Sequence, residues 1–132
     1  MRMRTTLPAV MAALFLTTGT AWAHHSLISQ YAKEKTVSLR GTVTRVVWKN
    51  PHGWIYIDVP GESGQREQWM IETGAPLRMQ RRGLKATDFK VGAEVIIGGW
   101  AARDGSKTVA GWIVTFVDRE TKGQEASFAL GR

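Results

Sequence analysis

The sequence predicts an all-β protein with one short helix, built as a small five-stranded OB-like Greek-key barrel. Three observations predict it. Apolar and polar residues alternate with period two in several separate runs, and turn residues divide those runs. One short helical segment falls between the third and fourth runs. Three strands, a helix and two more strands is the order of the OB-fold.

Each element has its own warrant. From Thr36 to Val47, one face reads Val37, Leu39, Gly41, Val43, Arg45 and Val47, and the other Thr36, Ser38, Arg40, Thr42 and Thr44. This is a long half-buried strand, and both faces turn apolar at Val46-Val47-Trp48, where it is expected to bend. Asn50-Pro51-His52-Gly53 is a strong turn. In the second strand Ile55, Ile57 and Val59 point one way and Trp54, Tyr56 and Asp58 the other. Pro60-Gly61-Glu62-Ser63-Gly64 turns into a third strand, Arg66 to Glu72. Pro76 stands in the first turn of the helix and Gly83 at its stop. Glu94 to Ala102 is a glycine-softened fourth strand, Asp104-Gly105 a hairpin tip, and Thr108 to Val117 the fifth strand. From Asp118 the chain turns polar. The expected organisation is a barrel over 36–117, preceded by an arm over 24–35 and followed by a loose tail over 118–132.

The first 23 residues read differently. Arg2 and Arg4 precede an apolar run from Leu7 to Leu16, and Ala21-Trp22-Ala23 places small residues where a signal peptidase reads them. The apolar run is about half of the ~20 residues that span a bilayer. A cleaved signal peptide is therefore expected, with the mature chain starting at His24 in the periplasm and not spanning the membrane. No cysteine is present to carry a lipid, a disulfide or a thiolate metal site.

Charge narrows the function classes. The chain carries +7, and the first 23 residues hold two of its 18 basic side chains and none of its 11 acidic ones. A basic balance can mark a nucleic-acid or anionic-surface binder. Export argues against nucleic acid, and a solvated basic surface is the plainer reading. Arg78, Arg81 and Arg82 sit near the helix C-terminus, where cations favour the dipole.

The three histidines fall at informative positions. Cleavage after Ala23 would give His24 a free α-amine, and that amine with its own imidazole can chelate a metal ion. His52 is the remote third donor, and His25 can add or replace a ligand. Three nitrogen donors in a tetragonal set suit Cu(II), so copper is the expected cofactor if one binds. Against this stands a structural reading: a polar arm at His24-His25, and His52 bonded to backbone within its turn. Trp54, Tyr56, Trp69 and Glu72 form a second candidate, a ligand-binding face on strands two and three, where aromatics can stack on an envelope ligand or protein. The alternative is that these aromatics cover a second hydrophobic layer. Ser26 beside His25 is no catalytic dyad, no G-x-S-x-G occurs, and Asp58, Glu67 and Glu72 show no acid–base spacing. No signal for an enzyme stands out; a copper-dependent oxidative activity is the third reading.

His24-His25-Ser26 after a signal peptide, Gly41-Thr42-Val43, Trp48 and Asn50-Pro51-His52 with Trp54-Ile55 resemble an uncharacterised domain-of-unknown-function family of small exported bacterial proteins. Trp69, Glu72, Gly74, Pro76, Arg81-Arg82-Gly83 and Arg103-Asp104-Gly105-Ser106 extend the resemblance, which spans roughly Ala23 to Val117. Lys90-Val91-Gly92-Ala93 departs from the Lys-Pro-Gly-Asp more usual in that family. The resemblance implies no activity, but it implies that the two histidine clusters belong together.

Overall fold

A computed structural model describes residues 27–117 and 126–130. The expected signal peptide, His24 and His25 lie outside the described residues. A short helix α1 (Leu27–Gln30) leads into β1 (Tyr31–Val47), β2 (Trp54–Pro60) and β3 (Arg66–Glu72). Then come α2 (Pro76–Arg81), a 3-10 turn (Ala86–Asp88), β4 (Glu94–Ala102), β5 (Thr108–Phe116) and β6 (Ala126–Ala129).

β1 has 17 residues, and its length lets it pair with β4 through Tyr31 and 36–42 and with β2 through 42–47. The sheet runs β3-β2-β1-β4-β5-β6. β5 also pairs in parallel with β3, Ile71 opposite Val109 and Glu72 opposite Ala110, so five strands close in a ring. This is the small all-β fold with an OB-like strand order that the sequence predicts. Inside lie Val43, Ile55, Ile57, Ile71, Val95, Ile97, Val109 and Val114, joined by Met79 of α2 and by Leu84 and Phe89 beyond it. Burying such side chains contributes about 1.5–3 kcal/mol each, and with no disulfide this core carries the stability.

The predicted alternation of β1 changes phase near its end. Val43 pairs with Ile57, but Arg45 pairs with Tyr56 and Val46 with Ile55, leaving Thr44 as an extra residue. This bulge turns Arg45 outward and brings Val46 to the core side, whereas strict alternation from Thr36 puts Arg45 and Val47 inward. A guanidinium in the core would have no compensation, and the extra residue removes that conflict.

Two boundaries differ from expectation. β1 begins five residues before Thr36, and Tyr31 and Ala32, within the predicted arm, are buried. The polar C-terminal segment is not simply a loose tail: β6 pairs with β5, and Leu130 enters the core, fully buried. Leu130 donates its N–H to Trp112 O at 3.0 Å and accepts from Gly74 N–H at 2.8 Å. Among the described residues no helix is long and apolar enough to cross a membrane.

Candidate functional site

The loop between β1 and β2 is held against the end of β3 by reciprocal backbone bonds. Thr73 N–H donates to Gly53 O at 2.9 Å, and Gly53 N–H to Gly74 O at 3.3 Å. The approach leaves no room for a side chain at Gly53, because a Cβ there would stand 2.6 Å from Thr73 Oγ1. Glycine is thus required by proximity rather than by dihedral freedom. The residue before it, His52, is thereby placed over the carboxyl-terminal end of β3.

There it meets Glu72. His52 Nδ1 lies 3.1 Å from Glu72 Oε1 and 3.3 Å from Thr73 O. The other carboxylate oxygen, Oε2, accepts the hydroxyl hydrogen of Tyr31 at 2.5 Å. Glu72 is opposite Trp54 in β2, on the outward side of the ring, yet it is only 8% exposed. A carboxylate so removed from water requires hydrogen-bonding partners, and Tyr31 and His52 supply one to each oxygen. The first residue of β1 and the loop after β1 are thus joined through one buried acid.

The arrangement has a chemical consequence for the imidazole. With its hydrogen on Nδ1, neutral His52 directs that hydrogen toward Glu72 and Thr73 O and leaves the lone pair on Nε2. The His52 side chain is 45% exposed, so the ring is accessible. A carboxylate behind a histidine in this way fixes ring orientation and raises ligand basicity at metal centres. It is equally the orienting half of a general-base pair. The hydroxyl of neighbouring Thr73 offers no nucleophile, since Thr73 is buried and its Oγ1 donates to Gly74 O at 3.0 Å. Among the described residues no group of three or more His, Cys, Asp and Glu side chains is placed to hold a metal. Any such site needs donors from outside them, and His24 and His25 lie there.

The aromatic face is divided by the register. Trp54 and Tyr56 share the outward side with Met70 and Glu72, as their pairing shows. Trp69 pairs with Ile57 and packs against the core, so it belongs to the opposite side and not to the predicted ligand-binding face. Its position follows from strict alternation along β3, where Trp69 and Ile71 share one side and Met70 and Glu72 the other. The Arg45 guanidinium stacks over the Tyr56 ring, 3.9 Å from its centroid. The bulge at Thr44 makes that contact possible, and it occupies one face of the ring that could otherwise stack on a ligand.

Sequence reasoning singled out His52 and Glu72 separately but missed their contact, and it missed Tyr31 altogether. Tyr31 and Glu72 are 41 residues apart. No spacing rule joins them, and Tyr31 stands between polar Gln30 and Ala32-Lys33, so nothing in its neighbourhood announces the contact.

Comparison with known proteins gives one positive result. The model of a family of unknown function, DUF6152, matches residues 13–111, most of the chain. No curated protein and no solved structure matches.

Proposed function

The chain belongs to DUF6152, a family of unknown function, and we propose that it is an exported periplasmic binding protein that holds copper through His24, His25 and His52. One observation carries the reading: His52 Nδ1 is engaged by the buried Glu72, whose second oxygen accepts from Tyr31. The partnership leaves Nε2 as the donor atom. The mature amino terminus would precede α1 by three residues, and α1 leads directly into Tyr31, whose hydroxyl shares the Glu72 carboxylate with His52. In this reading the α-amine and ring of His24 and Nε2 of His52 supply three nitrogens, His25 is an auxiliary ligand, and Glu72 orients the remote donor. Such a set favours Cu(II) over zinc. Binding, delivery or sensing of the metal would be its role.

The alternative is a metal-free envelope module that uses Trp54 and Tyr56. Their common outward side supports it, while Arg45 over Tyr56 and the inward Trp69 shrink the available surface.

The test is calorimetric titration of Cu(II) into the chain beginning at His24, the same chain extended by one residue, and its His52→Ala variant. The mature chain should bind tightly; the extension and His52→Ala should each weaken binding strongly, and His25→Ala less. Equal binding by all three would eliminate the three-nitrogen site. Failure of all three to bind would favour the aromatic module.

A further inference from the structure

We infer that the outward face of α2 docks on an anionic lipid bilayer. Leu77, Arg78, Arg81 and Arg82 stand at i, i+1, i+4 and i+5, so they share one side of the helix and its C-cap. Pro76 and Met79, on the other side, are buried. All four outward residues are exposed, Leu77 by 52%. Lys85, also exposed, adds a further cation just beyond. Residues 73–87 contain no acidic side chain, and the next, Asp88, accepts the backbone N–H of Lys85 at 2.6 Å.

Capping does not account for these arginines. The carboxyl end of α2 is closed by backbone donors: Gly83 N–H reaches Gln80 O at 2.9 Å, and Arg82 and Leu84 N–H reach Met79 O at 2.9 and 3.1 Å. Gly83 has φ +87, which permits this closure. Neither Arg81 nor Arg82 is paired with a carboxylate among the described residues, and the ion pairs Arg40–Glu94, Arg103–Glu34 and Lys107–Glu67 lie elsewhere. Backbone closure of the helix leaves Arg81 and Arg82 as exposed charges that an anionic surface would complement.

The shape and composition select among anions. A helix face is convex and offers no groove to an extended acidic peptide. Residues 70–88 contain no aromatic side chain, so there is no platform for nucleic-acid bases. Leu77 stands among the cations, the combination that an interface between lipid headgroups and acyl chains accommodates, with the apolar side chain entering and the arginines meeting phosphates. The inference uses no residue of the proposed metal site.

The experiment is co-sedimentation of the chain beginning at His24 with vesicles of phosphatidylglycerol and phosphatidylcholine, and with vesicles of phosphatidylcholine alone. Each arginine near an anionic surface is worth about fivefold in partitioning, so Arg81→Gln with Arg82→Gln should reduce binding roughly 25-fold. Leu77→Asp should reduce it further, and raised salt should release the wild type. Circular dichroism should be unchanged, because these side chains point away from the core. Equal binding to neutral vesicles, or no loss in the double variant, would overturn the proposal.

Discussion

Tyr31 donates its hydroxyl to Oε2 of Glu72 at 2.5 Å, and this contact ties the first residue of β1 to the last residue of β3. Both groups are almost fully buried. Hydrogen bonds to charged acceptors contribute about 1.5–3 kcal/mol, and Tyr31→Phe should lower stability by about that amount in a denaturant titration. An unchanged midpoint would show that Glu72 finds another partner.

Glu72→Gln removes the charge together with one of the two acceptor oxygens. The amide retains the size of the carboxylate but has a single acceptor oxygen, so it can accept from only one of Tyr31 and His52 and presents an N–H donor to the other. Under the copper reading, affinity should fall about 10- to 100-fold while the fold survives. His52→Ala should lose at least as much. If copper affinity were indifferent to Glu72→Gln, the carboxylate would have only a structural role.

Gly53→Ala places a methyl group where Thr73 Oγ1 already stands, 2.6 Å away. Overpacking of this kind costs about 1–3 kcal/mol. Thr73→Ala removes the obstructing oxygen, so the double variant should recover part of the loss in a double-mutant cycle. Strictly additive losses would mean that the contact is not what excludes a side chain at Gly53.

Leu130→Ala tests the C-terminal segment. Its side chain is fully buried, and truncating a core leucine costs about 2–5 kcal/mol. Truncation after Val117 should destabilise at least as much, since it removes β6 as well. A tail with no structural role would leave the thermal midpoint unchanged in both variants.

Arg103 gives a pH-dependent prediction at the start of β1. Its backbone N–H donates to Gln30 O at 2.9 Å, and its guanidinium lies 2.8 Å from Glu34 Oε1. A backbone hydrogen bond first, and the Arg103 side chain second, hold the Glu34 carboxyl below its ordinary range. A depressed carboxylate stabilises the fold above its unfolded pKa, and that contribution is lost as pH falls through the folded value. The Arg103→Ala defect in thermal midpoint should therefore shrink on acidification. It should also be small and salt-sensitive, because the pair is solvent-exposed. A defect that grows in acid would contradict this linkage.

The sequence by itself determined the five strand segments, the helix before β4 and the turns at Asn50–Gly53 and Asp104-Gly105. Alternation and turn chemistry are local, and the neighbouring residues suffice to express them. The approach of residues far apart was settled only by the tertiary structure. The extra residue at Thr44 shows this well: Val43-Thr44-Arg45-Val46 has no turn residue to announce a bulge, and pairing with β2 reveals the change of phase. β6 is four residues long, and its buried neighbour Leu130 is defined by contacts with Trp112 and Gly74. The junction of Tyr31 and His52 on the buried Glu72 carboxylate likewise exists only once the ring has closed. Ring closure brings the start of β1, the loop after it and the end of β3 together, and exclusion of water then makes their hydrogen bonds to one another obligatory.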